Sequence, residues 1–329
     1  MAMTTKPAPA TSTTPPARTV KRRGSAPGAS RRHGEGLAGY VFLSPWLLGL
    51  MAITAFPMLF SLYLSFTNYD ILSSWEFVEW VGFENYWDLF VNDQTFRHSV
   101  WVTLLFAFVA VPLKLAAALG VALLLNREVR GVGLFRSLFY LPSLLGGSVA
   151  LALIWRAMFS GDGAFNDFLA LFGITGRPWV NDPAWALETL MVLAIWQFGA
   201  PMVIFLAGLK QVPTELYEAA SVDGAGKVRQ FFNVTLPMLS PVIFFNLVLE
   251  TINGFQGFTA AFVISNGTGG PVDSTMLYTL YLYEKGFTEF QMGYASALAW
   301  VFLIAIGLIT VLFFSTGRFW VHYSDGDND

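Results

Sequence analysis

"EAASVDGAGKVRQFFNVTLP", Glu218 to Pro237, is the most polar run in the second half of a chain that is otherwise almost all hydrocarbon. Just upstream, Pro213 suits a first helical turn, and Glu215 and Glu218 sit where the dipole of a helix N-terminus favours acids. A short helix is therefore expected over about 213–222. Gly224 and Gly226 supply permissive backbone that ends it and reverses the chain. A second short helix, about 227–234, places Val228, Phe231 and Phe232 on one side with Lys227, Arg229 and Gln230 around them, before Leu236 and Pro237 open an apolar run. The stretch reads as a helix-turn-helix finger between two long apolar segments.

Those segments decide the class. Of 329 residues, 55% are hydrophobic and only 12% charged, with 31 Phe, far too apolar for a soluble fold of this length. Such a composition belongs in a membrane, where about 20 mostly apolar residues make a spanning helix. Six segments qualify: about 38–66, 98–125, 134–158, 186–210, 237–262 and 291–316. Pro45, Pro57, Pro112, Pro142, Pro201 and Pro241 fall in or near them, so kinked helices around a cavity are expected. The fold class is an all-α integral membrane protein with six transmembrane helices.

Charges set the orientation. Bases gather in the N-terminal tail, in the turn with Arg127, Arg130 and Arg136, around the finger (Lys210, Lys227, Arg229) and at Arg318. The alternate loops are acidic: Asp70, Glu76, Glu79, Glu84, Asp88 and Asp93 in the first, Asp162, Asp167 and Asp182 in the second, Asp273, Glu284 and Glu289 in the third. The positive-inside rule then puts both termini and the finger in the cytoplasm. Trp75, Trp80, Phe83, Tyr86 and Trp87 crowd the first outer loop, as in a segment folded over a membrane surface. Residues 1–36, rich in Ala, Pro, Ser and Thr with Lys21, Arg22, Arg23, Arg31 and Arg32, read as a disordered basic cytoplasmic tail. The apolar run after them is too long for a signal peptide and is expected to stay as the first span. Residues 37–317 form the membrane domain, with the finger at about 212–236, and 318–329 a short acidic cytoplasmic tail.

Catalysis finds no support. Cysteine is absent, which excludes disulfides, thiol catalysis and Cys-ligated metals. The three His stand apart at 33, 98 and 322, so neither a metal site nor a catalytic centre is expected. "DGAGKV", from Asp223, lacks the spacing of a phosphate loop and follows a helix rather than a strand. No cofactor and no nucleic-acid partner are expected for this chain.

Polar residues inside a span cost about 2.5–3.5 kcal/mol for a central carboxylate and so face protein or water. In the fifth span Asn246, Glu250, Asn253 and Gly257 stack on one helical face with Gln256 beside them, a lining that suits a hydrophilic path. Sugars need such paired donors and acceptors, together with aromatic faces. Trp196, Gln197 and Phe198 in the fourth span, and Phe255 and Phe258 in the fifth, are the further candidates. The same polar groups also suit hydrogen bonding to a neighbouring subunit. Lys114, alone in the second span, is expected to be packed or snorkelling. Glu250, as a buried carboxylate, speaks for a neutral rather than an anionic solute.

The pattern Glu218-Ala219-Ala220, Asp223-Gly224-Ala225, Phe231 and Leu236-Pro237 resembles the EAA loop of permease subunits of binding-protein-dependent ABC importers. Phe135-Arg136, Tyr140-Leu141-Pro142, Ile154-Trp155 and Leu43-Ser44-Pro45 look like the maltose-type carbohydrate-uptake branch, and the resemblance covers about 38–316. Val234 departs conservatively from the Ile more usual there. The resemblance implies a type I ABC importer permease in a bacterial cell membrane, multi-pass and surrounded by lipid. It implies partners: a second related permease, a dimer of cytoplasmic ATPase subunits carrying ATP and Mg, and an extracellular or periplasmic solute-binding protein. The finger would be the coupling helix, docked through Glu218, Ala219, Ala220, Asp223, Gly224, Ala225 and Phe231. Substrate contacts would fall at about Gln197, Glu250, Asn253, Gly254 and Gly257, beside Asn246 and Gln256. The solute implied is a sugar, a di- or oligosaccharide; glycerol phosphate or another polyol is the alternative. An ion-coupled secondary transporter using Glu250 and Lys114 is a remoter one, for which no inverted sequence repeat is evident.

Overall fold

Helix dominates the computed structural model, which describes residues 41–127 and 131–321. The basic tail 1–36, Arg130 and the last residues of the acidic tail, 322–329, lie outside the described residues. By internal contacts the chain divides into two units, Met1–Pro57 and Met58–Asp329. In the first, residues 41–57 are helical with a π-helical stretch at Leu50–Ala55, and Ser44 Oγ donates to the carbonyl of Val41.

Four helices are long and apolar enough to cross a membrane: Val41–Leu64, Gln94–Leu125, Ser240–Ser265 and Met292–Gly317. The other two expected spans are bent pairs. Val132–Leu145 and Val149–Met158 meet at 100°, and Ala186–Trp196 and Gly199–Leu209 at 41°. The sequence reading of 134–158 as one crossing helix is thus corrected to a broken one. Gly146 and Gly147 cannot carry a helix forward as other residues do, and Ser148 caps a new one by accepting from the amide of Leu151 at 3.2 Å.

The second span, Gln94–Leu125, is the axis of the larger unit. Asp93 caps it, accepting from the amide of Phe96 at 2.8 Å. Its Phe96, Val102, Phe106 and Ala110 belong to one apolar core, with Leu190, Leu193, Leu280 and Leu298. Its Val111, Leu115, Ala118 and Ala122 belong to another, with Met202, Phe205, Leu206 and Leu239. Pro112 sits at the seam between the two. On the last span Ile304, Leu308, Val311 and Leu312 stay exposed, a side chemically suited to lipid.

The loops between spans are folded structures. Asn85 Nδ2 donates to the carbonyls of Ser65 and Thr67, while Trp80 stacks on Phe66 and Tyr86 tilts against it. Asn166 is buried and saturated: its amide nitrogen donates to the carbonyls of Ser160, Gly161 and Arg177, and its oxygen accepts from Trp179 Nε1. Asp93 also accepts from the hydroxyls of Tyr281 and Tyr294, tying the second span to the short helix Tyr278–Tyr283 and to the last span. Burial first, then the bond to Asp93, pushes the Tyr281 phenol above its ordinary range, so it remains a donor.

Candidate functional site

Two places answer to the sequence reading. The finger begins as a helix at Thr214–Val222, with Pro213 as its N-cap in extended conformation rather than inside the first turn. Gly224 has φ +75°, a left-handed value that glycine tolerates without strain. Around it the amide of Ala225 donates to the carbonyl of Ala220 at 2.9 Å and that of Gly224 to Ser221 at 3.0 Å, the paired bonds of a Schellman ending. Gly226 has an ordinary φ of −68° and caps Lys227–Gln230, so one glycine, not two, makes the reversal. The second helix does not stop near 234. It passes through a π-helical stretch, Phe231–Thr235, into Leu236–Met238 and on toward the fifth span.

Side chains lock the two arms together. Gln230 Nε2 donates to Ser221 Oγ at 2.8 Å and to the carbonyl of Ala225 at 3.0 Å, and the hydroxyls of Tyr217 and Thr235 meet at 3.0 Å. Glu218, Ala219 and Asp223 are exposed, and Ala220 and Ala225 half-buried. The expected knob, Phe231, is half-buried against Phe232, whose ring centroid is 5.0 Å away. The apolar groups presented outward are Phe232, Val228 and Val222, at 58%, 73% and 88% exposure. The result is a braced helical hairpin with exposed apolar groups at its tip and an acidic flank.

The second place is a cavity of about 400 Å³ at the seam between the two cores. Phe106, Ala110, Val111 and Lys114 line it from the second span, Leu190, Leu193 and Gln197 from the fourth, and Glu250, Asn253, Gly254, Gln256 and Gly257 from the fifth. Six of the seven sequence candidates for a solute path thus share one cavity wall. Asn246 does not: it is 1% exposed and its amide donates to the carbonyl of Val242 within its own helix, at 3.0 Å. Of the aromatic candidates only Phe258 lines the cavity. It is held by Phe262 and Tyr283 at 5.3 Å each. Trp196 stacks on Trp155, Phe198 packs on Phe139 and Phe255 on Phe108.

Lys114 was missed as part of this wall. Its Nζ lies 2.7 Å from Glu250 Oε2, and the two side chains are 17% and 11% exposed. Lys114 stands eleven residues before the helix end at Leu125. At 1.5 Å per residue that is roughly 16 Å, beyond the reach of a snorkelling lysine. The ion pair also corrects the argument that Glu250 alone would repel an anion, since the charge it brings is matched. Gly146, at the 100° bend, supports Gln197: a Cβ there would collide with the Gln197 Oε1. Among the described residues, Gln197, Asn253 and Gln256 make no side-chain hydrogen bond, and Glu250 Oε1 and the remaining ammonium protons of Lys114 are likewise uncommitted. Among the described residues, no cluster of His, Asp or Glu is arranged to hold a metal.

A family model described as "Binding-protein-dependent transport system inner membrane component" matches residues 43–325. The chain is 49% identical over 290 residues to the probable ABC transporter permease protein YesP of Bacillus subtilis (strain 168), covering 88% of this chain and 93% of that one. It is 32% identical over 286 residues to the lactose transport system permease protein LacF of Rhizobium radiobacter, covering 85% and 94%. Among solved structures, a chain of a bacterial alginate ABC transporter, in complex with an alginate pentasaccharide-bound periplasmic protein, superposes with a TM-score of 0.74 at 20% identity, covering 88% of this chain and 97% of that one. That likeness shows the importer-permease fold.

Proposed function

The chain belongs to the binding-protein-dependent transport system inner membrane components and is a permease subunit of an ABC importer; from that premise we propose that it passes a sugar, of disaccharide size or larger, through the cavity lined by its second, third, fourth and fifth spans. The observation that carries this reading is the set of uncommitted polar groups on one wall: the amides of Gln197, Asn253 and Gln256, and the Lys114–Glu250 pair. Such a wall offers both donors and acceptors to a polyhydroxylated solute, while Phe258 offers a ring face. A Cβ on Gly254 would press on Val111 of the second span, and one on Gly257 would meet Leu277 and Phe106, so both glycines let this wall pack closely on its neighbours. A lactose permease among the relatives and an alginate importer among the solved structures support a carbohydrate as the solute class.

Transport draws its energy from a partner. ATP and Mg belong to a cytoplasmic ATPase dimer, gripped by the finger through Glu218, Ala219, Ala220, Asp223, Gly224, Ala225 and the Phe231–Phe232 pair. A sister permease completes the path, and a binding protein delivers the solute from outside. Both termini and the finger face the cytoplasm, in keeping with the bases around them. The domain plan is a basic tail over 1–36, the membrane domain over 37–317 and an acidic tail after it.

Reconstitution tests this. In vesicles holding the complete complex, sugar uptake is expected to need ATP and to ignore proton and sodium gradients. Uptake that persists without the ATPase subunit contradicts it.

A further inference from the structure

The Lys114–Glu250 pair joins residues 136 positions apart, on the second and fifth spans. A purely structural ion pair in a membrane bundle gains most when every remaining proton and lone pair is satisfied by protein. This pair is built otherwise. Its single bond uses one ammonium proton and one carboxylate oxygen, and both side chains keep part of their surface on the cavity. Two N–H donors and the oxygen Oε1 remain open there. They are the charged groups among the cavity's described lining, so the wall's formal charge sums to zero.

Resting on the transport reading above, we infer that Lys114 is a specificity-determining residue of the solute path: with Glu250 it forms a neutral donor-acceptor clamp for adjacent hydroxyls of an uncharged sugar and discriminates against anionic ones. A diol presents one oxygen to Lys114 and one proton to Glu250 without separating the pair. A uronate in the same place competes with Glu250 for the ammonium and leaves one carboxylate without a cation in a low-dielectric wall, which is strongly unfavourable. Gln197, propped over Gly146, and Asn253 extend the same wall with neutral amides that carry no charge preference.

The test uses the whole complex in vesicles, with radiolabelled lactose, maltose and cellobiose and their uronate-ended counterparts as probes. Wild type is expected to take up a neutral member at least tenfold faster than its uronate counterpart. The double variant Lys114→Met with Glu250→Gln removes both charges at similar volume. It should assemble with an unchanged melting temperature, lose at least tenfold in neutral-sugar uptake through a raised KM, and lose the discrimination. Lys114→Arg, which keeps charge and donors, should stay within about threefold of wild type. A double variant with wild-type KM and selectivity, or a wild type that carries uronates as fast as neutral sugars, overturns the clamp and leaves ATP-driven transport standing. Wild-type uptake that is indifferent to ATP overturns the transport reading instead.

Discussion

The finger and the cavity are built by opposite means. In the finger, the hydrogen bond between the Tyr217 and Thr235 hydroxyls spans 18 positions, and the turn is closed by backbone bonds around Gly224. In the cavity, the defining contact spans 136 positions, and the wall is assembled from four spans. One region is a local object on an exposed surface; the other exists only once the bundle has packed. Substitutions should therefore act differently in the two: in the finger on docking and not on the fold, in the cavity on either fold or solute according to whether a charge is left alone.

The largest effect is expected from Lys114→Met alone. It strands Glu250 inside the bundle, a loss of about 3–5 kcal/mol for a broken buried pair, which should appear as a sharply lower melting temperature of the purified complex. The further change Glu250→Gln should restore it. Next comes Glu218→Lys, which reverses an exposed charge that the proposed docking sets against a basic partner. Like charges across an interface cost several kcal/mol, so co-purification of the ATPase should collapse while the melting temperature of this chain stays put. A fall in melting temperature would erase the contrast between the regions. Asn253→Leu should lower sugar uptake about tenfold, the worth of roughly one to one and a half kcal/mol of hydrogen bonding, with assembly intact; loss of assembly would make Asn253 a packing residue. The smallest effect belongs to Gln230→Ala. It removes the two bonds bracing the finger, about 1 kcal/mol each, and should reduce ATP-coupled uptake a few-fold, with amide exchange accelerated at Ala225.

The same contrast explains what the sequence revealed. The finger was legible because its signals are local: Pro213 before the helix, Gly224 after it, apolar residues grouped beyond. It misled at Gly226, as permissive as Gly224 but with φ −68°, at Pro213, which caps the helix from outside, at the end of the second helix, which runs on past 234, and at Phe231, which is half-buried beside exposed Phe232. Six apolar segments were legible by length, yet the 100° bend in the third was hidden within a run of 25 residues that passes for one span. Gly146-Gly147-Ser148, just after Pro142, was its mark. The cavity wall on the fifth span followed from helical spacing, but Asn246, one turn from Glu250, turned its amide back onto its own helix. Trp196, Phe198 and Phe255 had ring partners elsewhere that no local pattern announces. Lys114 looked solitary because its partner was on another helix.

On the proposed reading, a polar cavity in the bundle is a solute path driven through the finger by a separate ATPase. The chain has no cysteine, so Asn253→Cys creates a single thiol in the cavity wall, to be followed by its labelling rate with a small water-soluble maleimide in the assembled complex. The account predicts that labelling slows when the transported sugar is supplied and changes severalfold between the nucleotide-free and ATP-trapped states, and that Glu218→Lys abolishes the nucleotide effect but not the protection by sugar. A labelling rate that responds to neither sugar nor nucleotide would contradict it.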